Sequence, residues 1–224
     1  MKMLLSARKI SKHYGAIQVL NKIDVDVFEN EIVSIVGPSG AGKTTLLHLL
    51  STLDRPNVDP DSSLFFKSTN LFDLKDTQLS KFRNQNMGFI FQFHELLPEF
   101  TALENVCIPG WLAPKHANNI IENKAMDLLK RLGLEDRLNH KPLAMSGGEH
   151  QRVAVARALI NDPKIIFADE PSGNLDTENA KQLHDLFFEL QKQRGCSFVI
   201  VTHNQELAKR SNRIVRLKDG KIDS

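Results

Sequence analysis

The nine residues Gly37-Pro38-Ser39-Gly40-Ala41-Gly42-Lys43-Thr44-Thr45 constrain this chain more than any other stretch. Residues 31–36 before them are a short, mostly apolar run of strand type, and residues 46–50 after them are good helix material. The order is strand, glycine-rich loop, helix. With the spacing Gly, four residues, Gly-Lys-Thr, this is the pattern in which backbone N–H groups wrap phosphate oxygens at a helix N-terminus. Glycines at 37, 40 and 42 let the backbone approach a phosphate without a Cβ in the way. In such a loop Lys43 reaches the β- and γ-phosphates, and the Thr44 hydroxyl sits on Mg²⁺.

The chain of 224 residues, 41% of them hydrophobic, is long enough for one sizeable core and too short for two full enzymatic domains. Its net charge of +2, from 29 basic and 27 acidic residues, gives no reason to invoke nucleic acid as a partner. Any anion it binds is therefore held by a local site. No apolar run approaches the ~20 residues that span a bilayer. The first eight residues hold only three consecutive apolar ones, too few for a signal-peptide core, so a cytoplasmic location is expected. Cys107 and Cys196 are isolated, without the spacing of a disulfide framework or a zinc site, and read as small buried residues.

Residues 2–30 alternate apolar and polar in two stretches, the period-two signature of half-buried antiparallel strands. Tyr14, the chain's one tyrosine, sits between them beside Gly15. It fits an edge packing residue or an aromatic that stacks on a base, and position alone leaves both open. Residues 54–63 read as a loop, and residues 64–67 and 87–91 as short strands around a helix over about 76–84. From 92 to 145 the character changes. Gln92 ends a strand, Pro98, Pro109 and Pro114 punctuate, and Ile121, Ala125, Leu128, Leu129 and Leu132 recur at helical period. A mainly helical insertion into an α/β core is expected, with the core returning at 164–170, a continuous apolar strand ending in two acids, then a helix over about 179–194 and a strand over 196–202. Strands alternating with helices imply a parallel sheet with helices packed on it.

In open parallel sheets, ligands bind beyond the carboxyl ends of the strands. Three polar elements fall at such ends: the loop at 37, the pair Asp169-Glu170, and His203. Asp169 suits a second-sphere Mg²⁺ contact, and Glu170 suits a carboxylate that polarises the attacking water. Met145-Ser146-Gly147-Gly148-Glu149-His150-Gln151-Arg152 leads into an Ala-rich helix, with Ser146 as a natural N-cap and a second anion-binding helix terminus behind it.

Taken together, residues 37–44, Gln92, 146–151, 165–170, Asn174-Leu175-Asp176 and His203 resemble, in order and approximate spacing, the ATP-binding subunits of ABC transporters. The resemblance covers essentially the whole chain. It implies a P-loop NTPase fold of the ABC nucleotide-binding type: a RecA-like, mainly parallel sheet core, an N-terminal antiparallel β subdomain, and a helical subdomain inserted at about 93–150 of a single domain over 1–224. It implies ATP and Mg²⁺ as cofactors, with Lys43, Gln92, Glu170 and His203 catalytic and Thr44, Gln92 and Asp169 at the metal. Tyr14 matches the adenine-stacking aromatic. The loop residues Gly37, Pro38, Ser39, Gly40, Ala41, Gly42, Lys43, Thr44 and Thr45 hold the nucleotide of their own protomer. Ser146, Gly147, Gly148 and Glu149, with Asp176, would face the ATP held by a second copy in a head-to-tail dimer. Met145 stands where Leu is usual and Glu149 where Gln is common, and the turn at 56–63 lacks the usual Ser-Gly.

Residues 83–106 and Pro171-Ser172-Gly173-Asn174-Leu175-Asp176 are similar to the group of ABC subunits for lipoprotein release, macrolide export and cell division. The first stretch looks most like the lipoprotein-releasing branch. That branch implies integral membrane permease subunits of the LolC/LolE type as partners and a peripheral place on the cytoplasmic face of the inner membrane. Efflux and mechanical signalling to cell-wall hydrolases are the alternatives. Phe93, Leu96, Leu97, Pro98 and Phe100 fit either apolar anchors for a permease or the insertion's own core.

Overall fold

A computed structural model describes residues 2–57, 59–113 and 117–223, so Pro114, expected to punctuate the insertion, lies outside the described residues. The chain begins with β1 (Met3–Tyr14), β2 (Ile17–Phe28), β3 (Ile32–Val36), α1 (Lys43–Leu50), β4 (Ser63–Phe66) and β5 (Thr69–Asn70). It continues through α2 (Asp76–Asn86), β6 (Met87–Ile90), α3 (Ala102–Trp111), α4 (Asn118–Arg131), α5 (Gly147–Leu159) and β7 (Ile165–Asp169). It closes with α6 (Thr177–Arg194), β8 (Ser197–Val201), α7 (Gln205–Arg210), β9 (Arg213–Lys218) and β10 (Lys221–Asp223). Two units form: Met1–Ser80 with Leu190–Ser224, and Lys81–Glu189.

In the first unit the alternating stretches become the antiparallel pair β1–β2, registering Leu5 with Val27, Ala7 with Val25 and Ile10 with Ile23, all six buried. A register shift between Ala7 and Ile10 coincides with Lys9 at φ 50°, whose N–H donates to Asp24 Oδ1 at 2.6 Å. β4 pairs antiparallel with β1, Leu5 opposite Phe66 and Ala7 opposite Leu64. The strand at 64–67 thus belongs to the antiparallel sheet. β3 lies parallel to both β8 and β9, and its buried run Ile32-Val33-Ser34-Ile35 matches a strand covered on both faces. Its one polar side chain, Ser34, hydrogen-bonds Ser211 Oγ at 2.6 Å. Glu31, 5% exposed, takes two nitrogens of Arg213 at 2.9 and 3.3 Å and the Phe28 N–H at 2.8 Å, which offsets burial of its charge.

In the second unit β6 and β7 pair in parallel, and the Ala-rich face of α5 packs close to β6. A Cβ at Gly88 would strike the Ala158 carbonyl at 2.5 Å, so that close packing requires glycine. The insertion is helical, as expected, but Pro109 does not break it. It lies inside α3, and its carbonyl accepts from Asn84 Nδ2 at 2.9 Å and Asn161 Nδ2 at 3.0 Å. Asn105, four residues earlier and fully buried, is itself anchored through its side chain, so tertiary hydrogen bonds hold a turn that proline would otherwise weaken. Gln92 lies two residues beyond the end of β6, in a turn and not at the strand's last position. Cys107 and Cys196 are both buried and outside any disulfide, and burial pushes the Cys107 thiol up to about 12. Among the described residues no helix is long and apolar enough to cross a membrane.

Candidate functional site

In the first unit the glycine-rich loop runs from the end of β3 into α1, whose N-cap is Gly42. Its glycines serve different ends. A Cβ on Gly37 would lie 2.0 Å from the Leu217 carbonyl oxygen, and one on Gly42 would lie 2.9 Å from Leu20 Cδ2 and 3.0 Å from the Val19 carbonyl. Both are demanded by the fold that carries the loop. At Gly40 nothing comes within 4 Å, and φ is +76°, so this is where the backbone is left bare toward open space. Lys43 is only 7% exposed and donates to the carbonyls of Gly37 and Pro38 at 3.1 and 3.0 Å. An ammonium group held on neutral carbonyls is poised to exchange them for anionic oxygens, which bind it more strongly.

Tyr14, at the end of β1, is half exposed, and its hydroxyl donates to Asp54 Oδ2 at 2.9 Å. Burial and then the neighbouring Asp54 raise its pKa, while a hydrogen bond with Thr45 lowers it, so the ring is tied to the loop helix. The Lys12 ammonium lies 5.0 Å from the ring centroid and pairs with Asp54 at 2.7 Å. Lys12 and Asp54 are partners of Tyr14 that no sequence pattern singled out. His203 follows β8 and lines, with Gly37, Thr202, Lys209 and Arg216, an open cleft of about 420 Å³. Asn204 beside it caps α7 by accepting from the Leu207 N–H at 2.9 Å.

In the second unit Ser146 caps α5 as expected, within a complete capping box: its Oγ accepts from the Glu149 N–H at 3.3 Å, and Glu149 Oε2 accepts from the Ser146 N–H at 2.7 Å. Glu149 Oε1 also takes Arg137 Nε at 2.8 Å. The Ser146 N–H, with burial opposing and Arg137 assisting, lowers the Glu149 pKa to about 2. Glutamate at this position is thus a charged N-terminal cap, favoured by the helix dipole. A Cβ at Gly147 would meet nothing within 4 Å, whereas one at Gly148 would lie 3.2 Å from Asn179 Oδ1. Asp176 accepts the Asn179 N–H at 2.9 Å and Asn179 Nδ2 at 2.6 Å, and these bonds hold its carboxyl below the usual range. Asn179 therefore joins Gly148 to Asp176.

Asp169 ends β7, and Glu170 follows at φ 42°, a left-handed conformation that costs a non-glycine residue roughly 1–3 kcal/mol. The turn closes with the Gly173 N–H on the Glu170 carbonyl at 3.0 Å. Asn174 then donates its side-chain amide to the Gln92 carbonyl at 2.9 Å, which brings the segment after Glu170 onto Gln92. Among the described residues no three or more His, Cys, Asp or Glu side chains cluster as a metal cage. Phe93 is 71%, Leu97 44% and Phe100 37% exposed, so these three are not the insertion's core.

The ABC transporter family model matches residues 20–173. The lipoprotein-releasing system ATP-binding protein LolD of Cytophaga hutchinsonii is 55% identical over 99% of this chain and 100% of its own length. The protein of the same name from Bacteroides thetaiotaomicron is 53% identical over 98% and 99%. Among solved structures, a dimeric ATP-binding cassette in a post-hydrolysis state with ADP and Pi superposes with TM-score 0.91 at 36% identity, covering 99% of this chain and 97% of that one. With a glycine-rich loop between β3 and α1, a serine-capped glycine pair at the start of α5 and one antiparallel and one mostly parallel sheet, this chain belongs to the ABC transporter family as one of its ATP-hydrolysing cassettes.

Proposed function

We propose that the chain is the ATPase subunit of a transporter that releases lipoproteins from the inner membrane toward the outer membrane. It acts as a single ATPase domain over residues 1–224, with a helical insertion over about 93–150, peripheral on the cytoplasmic face, as a dimer on permease subunits of the LolC/LolE type. The observation that carries this reading is the segment after Gln92, which turns Phe93, Leu97 and Phe100 outward instead of packing them. Asn105 fixes the backbone beneath them: its Oδ1 accepts the Leu97 N–H at 2.8 Å, and its Nδ2 reaches the carbonyls of Leu97 at 3.1, Phe100 at 3.1 and Thr101 at 3.0 Å. Apolar anchors on a rigid backbone are what an interface hot spot requires. Relatives 50–55% identical over 98–99% of this chain carry the lipoprotein-releasing name.

In this reading the ATP phosphates lie on the backbone from Gly37 to Thr45, with the bare backbone at Gly40 closest. Lys43 leaves its two carbonyls for the β- and γ-phosphate oxygens. The Tyr14 ring supports adenine on the face not taken by Lys12. Thr44, Gln92 and Asp169 would hold Mg²⁺ through a hydroxyl, an amide and a carboxylate, each an oxygen donor of the kind that this ion takes. When bound, Mg²⁺ neutralises charge developing on the β- and γ-oxygens. Glu170 accepts a proton from the attacking water, and His203 hydrogen-bonds the γ-phosphate. Ser146, Gly147, Gly148 and Glu149, with Asp176, meet the nucleotide of the partner copy, the Ser146 hydroxyl donating its proton while its oxygen caps α5.

The test is to co-purify membrane proteins with tagged, full-length Glu170→Gln chain in mild detergent with ATP and to identify them by mass spectrometry. A permease with bound lipoproteins supports the reading. A permease accompanied by cell-division or cell-wall proteins overturns it.

A further inference from the structure

The backbone that follows β6 is held in an unfavourable shape. His94 and Glu95 are consecutive non-glycine residues with φ of 62° and 48°, a left-handed pair that persists only where the surroundings over-determine it. Three of the four carbonyls from Gln92 to Glu95 are taken by side chains from two distant elements. Asn174, in the turn after Glu170, donates Nδ2 to the Gln92 carbonyl at 2.9 Å. Arg157, on α5, forks onto the next two: Nη2 to the His94 carbonyl at 2.6 Å and Nη1 to the Glu95 carbonyl at 2.5 Å. A planar guanidinium meets the two carbonyls with separate Nη donors in a fixed fork, a geometry that a single ammonium nitrogen does not reproduce. The second contact with the Glu170 turn is steric. A Cβ at Gly173 would lie 3.4 Å from Gln92 Nε2 and 3.3 Å from the Glu170 carbonyl, so glycine there leaves room for the Gln92 amide.

Burial lowers the pKa of Arg157, the neighbouring Glu95 carboxylate partly restoring it, and its two Nη atoms donate to main-chain carbonyls. A cation kept in such a place for two main-chain carbonyls is doing positional work. Burial, then His150 and the Arg157 guanidinium, hold the His94 imidazole below its ordinary pKa, and the His94 and His150 rings lie 5.6 Å apart.

We propose that Arg157 and Asn174 are positioning residues for Gln92: they clamp the backbone that carries it from α5 on one flank and from the Glu170 turn on the other. The proposal rests on the reading that Gln92 acts at the metal and water of ATP. Displacement of the exposed segment 93–100 by a membrane partner is then transmitted to Gln92 through a backbone with two fixed anchor points, one of them only four residues from Glu170.

The test is a double-mutant cycle on the full-length chain, with steady-state ATP hydrolysis followed as Mg²⁺ is titrated. Asn174→Ala and Arg157→Gln are each expected to lower kcat roughly 2- to 10-fold, the size of one or two lost hydrogen bonds. The Mg²⁺ concentration for half-maximal rate should rise and the KM for ATP should stay put. Arg157→Lys should recover part of the loss. In a Gln92→Ala background each change should cost less than about 2-fold more, because residues acting through one group are not additive. Equal losses in both backgrounds, or an unmoved Mg²⁺ midpoint, overturn the clamp. A Gln92→Ala chain with ordinary rate and Mg²⁺ dependence overturns the role of Gln92 itself, and the clamp with it. Asn174 is exposed, so its variant keeps the test decisive if Arg157→Gln does not fold.

Discussion

Gly37 and Gly40 stand three residues apart in one loop and answer to different constraints. Alanine at 37 drives a methyl group into the Leu217 carbonyl, backbone against backbone, with no flexible side chain to give way. We predict that Gly37→Ala loses ~1–3 kcal/mol of stability or more. Alanine at 40 meets no atom and is charged only for its φ of +76°, about 1–2 kcal/mol. Gly40→Ala should therefore fold but bind ATP weakly, and thermal melts with and without nucleotide distinguish the two variants. Glu170 is a second residue whose backbone is out of the ordinary, with φ 42° at the end of β7. Gln fits the same space, so Glu170→Gln should retain ATP while turnover falls at least ~10²-fold, the contribution of a general base. Undiminished hydrolysis by that variant removes Glu170 from the role.

The helical elements depend on side chains that reach beyond their own turn. Asn105, 0% exposed on α3, has one acceptor and two donor sites and uses them on Leu97, Phe100 and Thr101. Asn105→Leu keeps the volume but strands the Leu97 N–H and the Phe100 carbonyl, while the Leu97 and Thr101 carbonyls keep the Phe100 and Asn105 N–H groups, so a loss of about 2–4 kcal/mol is expected in denaturant titration. Loss of permease capture should accompany it even where the chain stays folded. At α5 the capping carboxylate gives a pH signature. The Glu149 pKa falls from 4.5 in an unfolded chain to about 2, so its contribution is fully present above pH 4.5 and is lost as pH falls from there toward 2. Wild type should lose more stability than Glu149→Gln over that window, and equal losses would separate the cap from acid unfolding.

At the scale of the whole molecule the proposed function assigns two N–H-bearing segments to nucleotide, the glycine-rich loop before α1 and the capped glycine pair that begins α5. In the proposed reading the loop and the glycine pair face nucleotides held by different copies, so that reading requires a dimer closed on two ATP molecules. The prediction is that Glu170→Gln chain sediments as a dimer with ATP and as a smaller species without it. Ser146→Ala, which weakens the α5 cap by about 1 kcal/mol, should also shift the dimer toward dissociation. A dimer that forms equally well without nucleotide would sink the sandwich.

Much of this was legible in the residues alone, because the signals are short-ranged. The phosphate loop, the alternation of β1 and β2, the helical period of α4 and the Ser146 cap each depend on groups within a few positions of one another, where sterics and local hydrogen bonds decide. The exposure of Phe93, Leu97 and Phe100 was not legible, since an aromatic reads alike in a core or on an interface. Nor was Pro109 inside α3, because the asparagines that take its carbonyl lie 25 and 52 residues away. Which glycine serves packing and which leaves bare backbone is decided by Leu217, some 180 positions from the loop. Arg157 and Asn174 reach the Gln92 segment across 62 to 82 residues, a separation at which no local periodicity exists to announce a contact. The sequence specified the chemistry by its local spacings; only the tertiary structure decided what holds that chemistry in place, because long-range hydrogen bonds follow from how elements pack and leave no pattern along the chain.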